Sequence, residues 1–528
     1  MSNDTLNSVQ ENGDRKYWYI FSIADVIFIT ILVAILSDGA KLISDMIIGV
    51  HIRVGEYIID NFAIPTHDIF SNAVPPIPWT PPQWLAELIF GALHKTVGLT
   101  GLVVFAAFLI AATYAMLFKF LRSSGISIII SILITLLAAG ASAVHWLARP
   151  HIFSILFLLI WYMILESYQY RNRNYLYALP LMMILWVNIH GGFASGFILL
   201  AVYIAGNFIK ARFAKEEGQD FSHRAKALIF ITLLCLLATM ANPQGFRIIL
   251  SPFQVIANQA AINSIQEWMS PDFHGIVIYE YMLLLTILVL GLSMKRLNII
   301  EISLALLFTH ISLYSARFIP LFAIIISPIL GKQMDHIIRE CRGHTFFAGI
   351  ISTSENMAAA DSRTKWNLWS VTALCAVIIL CFAGYIRYQF DDKNMPVDAV
   401  QFLKNEHIEG KMFNSDVFGS YIIYAAYPQY EVFYDGREIA GKERREDYLK
   451  VAYLKSGWRD VFNKYDISWV IFNSQGTLSN ILINSDDWRL IYSDKVADIF
   501  VKNISENQKI IDKYPNVTPE TIDKTSEE

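Results

Sequence analysis

Residues 37–93 read SDGAKLISDMIIGVHIRVGEYIIDNFAIPTHDIFSNAVPPIPWTPPQWLAELIFGAL. From about residue 42 to 59 the apolar side chains recur at helical spacing, interrupted by Asp45, His51, Arg53 and Glu56. That pattern suits a helix lying flat on a membrane surface, with its charged side turned to the headgroups. His67 and Asp68 come next, followed by a proline-aromatic stretch at 75–84 that is stiff enough to form one wall of a cleft. Residues 84–93 read as a second interfacial helix.

On either side of this stretch the chain is apolar. The preceding run, 17–37, is long and has no small-residue cleavage site, so it is expected to be an uncleaved first span rather than a signal peptide. Further apolar runs lie near 97–121, 126–147, 151–169, 175–189, 193–210, 226–241, 276–294, 299–315, 317–331 and 367–387. Several exceed the roughly 18 to 20 residues needed to cross a hydrocarbon core of about 30 Å. The reading is a polytopic α-helical membrane protein with about 11 transmembrane helices. Composition agrees: 55% of the 528 residues are hydrophobic and 17% charged, against about a quarter charged in soluble domains. A net charge of −4 supplies no basic field, which argues against nucleic acid as a partner. The four cysteines include no C-x-x-C pair, so neither a metal knuckle nor a disulfide framework is expected.

Lysine and arginine fall in alternate connections: Arg15 and Lys16; Lys119 and Arg122; Arg171 and Arg173; Lys210, Arg212, Lys215, Arg224 and Lys226; Lys295 and Arg296; and Lys332, Arg339, Arg342, Arg363 and Lys365. The positive-inside rule makes that side cytoplasmic. The expected layout is a cytoplasmic segment 1–16, a transmembrane domain 17–390 with a large external loop 38–96, an external α/β domain 391–503 and a disordered tail 504–528. In the external domain, strand-like runs are read at 411–414, 431–434, 469–473 and 497–501. The cytoplasmic stretch 343–365 reads as flexible.

Ionisable groups are costly at a membrane boundary unless paired or solvated, and this sequence gathers them at the outer ends of its helices. Besides those of the first loop, they are Arg149, His151, Asn188, His190, Asn242, Arg247, Glu267, Asp272, His274 and Arg317. Such a set suits an anionic lipid headgroup: an arginine fork matches phosphate, and a carboxylate can take a proton from an attacking hydroxyl. Each residue also has a plainer reading. Asp45 can cap the interfacial helix, Arg53 and Glu56 stand three apart and can be a surface pair, and His190 precedes two glycines that let the chain bend. Arg317 can snorkel to headgroups, and Arg149 before Pro150 can mark a helix boundary.

The layout resembles the GT-C class of membrane glycosyltransferases, and more closely a family of largely uncharacterised bacterial membrane proteins. The residues that carry the likeness are HIRVGEYI (51–58), WTPPQWLAEL (79–88), ARPHIFS (148–154), WVNIHGGF (186–193), ANPQGF (241–246), EWMSPDF (267–273), ARFIPLF (316–322) and FYDGR (433–437). The resemblance implies transfer of a sugar from a polyprenyl-phosphate-linked donor to a glycan, lipid or protein acceptor on the outer face of a bacterial inner membrane. The first-loop acid of that class acts as base or positions the acceptor; Asp45 matches it best and Asp68 second. Arg317, Arg149 and Arg53 become the donor-phosphate candidates by position, and His51, His190, Asn188 and Glu267 the sugar or acceptor contacts. The leaving phosphate is assisted by positive charge or by a divalent cation. Asp38 and Asp45 are seven apart rather than a tight D-x-D pair, which leaves the metal open. The external domain has no W-W-D motif, which argues against asparagine-linked oligosaccharyltransfer. Two other readings stay open: a noncatalytic membrane component that binds lipid-linked glycan or partner proteins, and a transporter, which would ordinarily show repeated halves that this sequence lacks.

Overall fold

A computed structural model describes residues 19–45, 47–213, 218–257, 266–275, 277–364, 367–437 and 439–520. The expected N-terminal segment 1–16, the end of the tail from 521, and Lys215 and Lys365 of the positive set lie outside the described residues. The chain divides into two compact units: residues up to 39 with 103–387, and 40–102 with 388 onward. The first loop, expected to belong to the transmembrane part, thus groups with the C-terminal residues.

The first unit is helical. Among the described residues six helices are long and apolar enough to cross a membrane: Trp84–Ser123, which runs into this unit, Ile128–His145, His151–Arg171, Gly191–Phe213, Gly218–Thr239 and Ala316–Gly343. Five shorter apolar helices occupy the other expected positions: Ile23–Leu36, Ala178–Ile189, Ile278–Leu292, Ile299–Tyr314 and Leu368–Phe382. At a rise of about 1.5 Å per residue these shorter helices fall below the thickness of a hydrocarbon core. Small residues let the helices approach closely: a Cβ on Gly206 would lie 2.3 Å from Ile300 Cγ1. Capping is explicit at two starts, where Ser22 with Asp25 and Asn298 with Glu301 each form a reciprocal box. The expectation of a flexible stretch at 343–365 is corrected: Thr345–Ser362 is a helix, and Ser354 is buried, accepting a hydrogen bond from Ile128 N.

The expected second interfacial helix and second span are one helix, Trp84–Ser123, broken at Gly98. Gly98 adopts φ 71° and ψ −165°, which a residue with a Cβ rarely reaches, so the break sits where only glycine is comfortable.

The second unit is built on a four-stranded sheet. Strands β1 (Lys411–Asn414), β2 (Ile467–Asn473), β3 (Trp488–Ser493) and β4 (Ala497–Lys502) lie in the order β1-β2-β4-β3. The β1–β2 pair is parallel and the other two are antiparallel. Alternation sorts the side chains to two faces: Met412, Trp469, Ile471, Ile499 and Val501 join one core, and Phe413, Val470, Phe472 and Phe500 the other. Val50, Val54, Ile58 and Phe70 of the first loop are part of the first core, which explains why the loop belongs to this unit. The strand expected at 431–434 does not form; Val432 makes a single bridge to Ser71, and β3 takes the fourth place in the sheet instead. Residues 505–513, read as tail, form a 3-10 turn and the short helix Gln508–Lys513.

The helix expected on the membrane surface is Ile48–Asn61, and it is packed within its own unit, with nine of its fourteen residues buried. Two glycines permit this. A Cβ on Gly49 would lie 2.7 Å from the Ser420 carbonyl oxygen, and one on Gly55 would lie 1.8 Å from that of Glu87. The backbone therefore crosses the start of Trp84–Ser123 in direct contact, and His51, Arg53 and Glu56 pair with other side chains of the unit.

One buried acid makes the sheet sensitive to pH. Asp498 on β4 is fully buried, and burial pushes its carboxyl up to about 6, against a smaller downward pull from Ser493 and Ser479. A folded-state value above the ordinary one adds stability below about pH 4 that is lost as the pH rises through 6. Asp498→Asn is expected to flatten thermal stability between pH 5 and 7.5 and to stabilise the protein at neutral pH by about 1–3 kcal/mol. An unchanged pH slope in the variant would contradict this assignment.

Candidate functional sites in the two units

In the helical unit, three of the expected residues converge. Arg149 stands just before the His151–Arg171 helix, and Arg317 lies in the 3-10 turn Ala316–Phe318 that opens the Ile319–Glu340 helix. Between them lies Glu267, on the 3-10 turn Gln266–Trp268. Arg149 Nη1 donates to Glu267 Oε1 at 2.8 Å, and Arg317 Nη2 stands 3.9 Å from Oε2. The Arg317 guanidinium also sits 4.7 Å from the centre of the Trp268 ring. Ser315 Oγ donates to the Glu267 carbonyl, and Ala316 N donates to the Met269 carbonyl at 2.9 Å, so the two turns are sewn together and the carboxylate is held in place. Two guanidiniums, each about one-fifth exposed, thus share one carboxylate.

The same unit places His190 and Asn188 at a helix end. The Ala178–Ile189 helix stops at His190, whose Nδ1 lies 2.8 Å from Ser154 Oγ and accepts from Gly192 N. Ser154 Oγ also accepts from Trp186 Nε1. Asn188 donates to the Ala241 carbonyl, and Asn242 donates to the Asn188 side-chain oxygen at 3.1 Å. These bonds are the expected bend of the chain at the two glycines. His151 stacks against His145 with ring centres 4.2 Å apart, and lies 6.3 Å from the His190 ring.

The second unit holds the other four expected residues. Asp45 is half-buried; its Oδ1 accepts from Ile47 N at 3.0 Å and its carbonyl from Ile48 N, so it supports the start of Ile48–Asn61. Arg53 donates through Nη1 to Glu56 Oε2 and through Nε to the Tyr424 carbonyl, each at 2.7 Å. Glu56 Oε1 is 2.6 Å from His94 Nδ1, and His94 Nε2 is 3.0 Å from the Tyr424 hydroxyl. Burial alone would raise the Glu56 carboxyl, but hydrogen bonding and charge from His94 and Arg53 outweigh it and hold it below the ordinary range. His51 is buried, with Nδ1 3.0 Å from Glu87 Oε1. Arg53 and His51 are therefore tied into internal networks of this unit, and the pairing of Arg53 with Glu56 is the plainer of their two sequence readings.

Asp68 is buried and accepts from Arg437 Nη2 at 2.8 Å. Arg437 also grips Asp435 through Nε at 2.8 and 2.9 Å, and its guanidinium lies between the Phe70 and Trp79 rings at 5.1 and 4.9 Å. Burial opposes the charge on Arg437, yet the two carboxylates raise its proton affinity and keep it charged. Asp435-Gly436-Arg437 forms a turn, with Arg437 N donating to Asp435 Oδ1 and Gly436 at φ 76°. What the sequence reading missed is that this turn delivers a guanidinium to Asp68; its occurrence within FYDGR was the available signal. Glu87, His94, Tyr424 and Trp268 were missed as well, since each sits in an ordinary amphipathic or aromatic context. Among the described residues no group of three or more His, Cys, Asp or Glu side chains is placed to hold a metal ion. No step is assigned to a metal here.

No family model matches this chain, and no curated protein matches it. Among solved structures it is similar to the oligosaccharyltransferase AglB of the archaeon Archaeoglobus fulgidus. The complex of that enzyme with an inhibitory peptide and a dolichol-phosphate aligns at a TM-score of 0.55 and 12% identity, over 85% of this chain and 69% of that one. The form tethered to an acceptor peptide containing the NVT sequon gives 0.51 and 11%, over 85% and 69%. The apo form gives 0.52 and 12%, over 90% and 74%. The likeness is one of fold: this chain shares the fold of that archaeal oligosaccharyltransferase.

Proposed function

We propose that this protein is a glycosyltransferase that moves a sugar from a polyprenyl-phosphate-linked donor to a glycan, lipid or protein acceptor on the outer face of a bacterial inner membrane. The observation that carries the reading is the fork of Arg149 and Arg317 around a single carboxylate, in a fold shared with an enzyme solved in complex with a dolichol-phosphate. Fold likeness alone does not assign chemistry; the fork supplies the specific group. A phosphodiester presents the same single charge and a similar pair of free oxygens to those Glu267 offers, and the phosphomonoester that leaves gains a further oxygen and charge for Trp268-supported Arg317 to hold.

In this reading the chain crosses the membrane about eleven times, at the apolar runs read from the sequence, which extend beyond the shorter helices, with the lysine- and arginine-rich connections on the cytoplasmic side and residues 391–503 on the outer side. In the transfer the acceptor hydroxyl gives its proton to a base as its oxygen bonds to the anomeric carbon, and the bond from that carbon to the phosphate oxygen breaks, the phosphate leaving with the electron pair. Asp45 is the proposed base, and Arg317 and Arg149 are, separately, the proposed phosphate contacts. Asp68, held by Arg437, is a weaker candidate for the base than half-exposed Asp45. His190, Asn188 and Glu267 remain the proposed sugar or acceptor contacts. Because Arg53 and His51 are occupied inside their own unit, their proposed part is to position the Ile48–Asn61 helix that follows Asp45.

Native mass spectrometry of the purified protein with polyprenyl phosphate tests the fork. Arg317→Ala is expected to weaken binding at least about ten-fold, as loss of a charge-assisted contact does, whereas Glu267→Gln, which removes the competing carboxylate, should not weaken it. Unchanged binding by Arg317→Ala would remove the arginines from the phosphate role.

A further inference from the structure

The Gly218–Thr239 helix has a one-sided pattern that continues past its end. Ala225, Leu228, Ile231, Cys235 and Thr239 are buried. Phe230, Leu233 and Leu237, three and four residues apart, form an exposed row on the other side. At a rise of about 1.5 Å per residue the helix covers about 33 Å, enough to cross a hydrocarbon core of about 30 Å. Bilayer lipid is therefore what covers that row, and residue 240 stands at the membrane boundary.

Beyond that boundary the chain is held in place. The Asn242 side chain donates to the Val187 carbonyl at 3.2 Å and to the Asn188 side-chain oxygen at 3.1 Å, and accepts from Gln244 N at 2.9 Å. Gly245, at φ 56°, turns the chain into the 3-10 helix Gly245–Leu250, which runs directly into the short helix Ser251–Ala257. Ile248 is 1% exposed and fastens this segment to its unit. Met240, Phe246, Leu250 and Phe253 are instead 55%, 65%, 50% and 67% exposed, and Arg247 is exposed among them. A contiguous apolar patch of this kind marks an interaction surface, and its surroundings say what covers it. The patch follows the lipid-facing row of Gly218–Thr239 with no charged residue between Thr239 and Phe246, and it begins where that helix leaves the hydrocarbon. Aromatic and aliphatic side chains with a cation beside them are the composition of a helix that lies in the interface plane, its apolar side in the acyl region and its cation at the headgroup phosphates.

We infer that residues 245–254 are a membrane-interface anchor: Phe246, Leu250 and Phe253 enter the acyl region of the bilayer, and Arg247 meets the lipid phosphates. Because Asn242 is bonded to Asn188 at the bend beside His190, the anchor holds that bend at headgroup depth. The inference rests on Gly218–Thr239 crossing the bilayer and is independent of sugar transfer.

The test uses the full-length protein in phospholipid nanodiscs, with its four cysteines replaced by alanine. One new cysteine carries a nitrobenzoxadiazole fluorophore, at Leu250→Cys, at Phe253→Cys or, as the lipid-facing reference, at Leu233→Cys. Doxyl-labelled phospholipid should quench the labels at Leu250→Cys and Phe253→Cys at least about two-fold, as it does the reference, and aqueous iodide should leave them nearly unchanged. A second measurement needs no variant: a phospholipid with a diazirine high on its acyl chain, photolysed with the unmodified protein, should leave adducts on residues 246–254. Quenching by iodide and not by doxyl lipid would place the segment in water, and protection from both would place it under protein. Either result overturns the inference, as does a lack of adducts in the unmodified protein. Loss of doxyl quenching at the reference position would remove the premise and the inference with it.

Discussion

Asp45→Asn is expected to reduce sugar transfer by about 10²- to 10⁴-fold, the range over which a general base contributes, without a measurable fall in thermal stability. The pairing of outcomes follows from the two things Asp45 does in this account. Its Oδ1 accepts from Ile47 N at the start of Ile48–Asn61, and asparagine supplies an equivalent acceptor. Asparagine cannot take a proton from an acceptor hydroxyl. Asp45→Ala should show the same loss of transfer together with a loss of about 1 kcal/mol of stability, because the acceptor at the helix start is gone as well. Full activity in Asp45→Asn would reduce Asp45 to a cap and pass the search for the base to Asp68.

Arg437→Met is expected to destabilise the protein by about 3–5 kcal/mol, the cost of removing one partner from a buried charge pair. The variant leaves Asp68 and Asp435, both buried, facing each other without a cation. Adding Asp435→Asn to the variant should recover part of the loss, since one of the stranded charges is then removed. Thermal unfolding of the three proteins reads both effects. A loss under 1 kcal/mol in Arg437→Met would mean that the unit does not depend on this pair.

The helical architecture was legible because a hydrocarbon core demands long uncharged runs, and each of the eleven expected runs contains a helix. Glycine was harder to read. The sequence was read as two helices, 84–93 and 97–121, and the 40-residue helix Trp84–Ser123 does break, but at Gly98, inside the second range, because hydropathy continues across that point and does not mark it. The first loop misled for a related reason. An amphipathic helix with charges along one side has the same pattern whether it faces headgroups or a protein core. Only the contact of Gly49 and Gly55 with neighbouring backbone reveals the core. The strand Trp488–Ser493 was missed because its run is short and carries the exposed Arg489; 431–434 was overcalled because a strand-like composition does not provide a neighbour to pair with.

Of the expected site residues, Arg149, Glu267 and Arg317 meet in space although 118 residues separate Arg149 from Glu267. Their shared position at helix ends, read from the sequence as external, was the readable signal. The internal pairing of Arg53 with Glu56 was open from their spacing, whereas the joining of His51 to Glu87 and of Asp68 to Arg437 depends on tertiary contacts across 36 and 369 residues, which no local pattern encodes.

The most direct test of lipid-linked sugar transfer is mass spectrometry of the lipids that copurify with Asp45→Asn, with an Arg317→Ala preparation alongside. The account predicts that the first variant, able to bind its donor but not to use it, retains a polyprenyl-phosphate-linked sugar, and that the second does not. The mass would identify the donor. Bulk phospholipids alone in both preparations would contradict it.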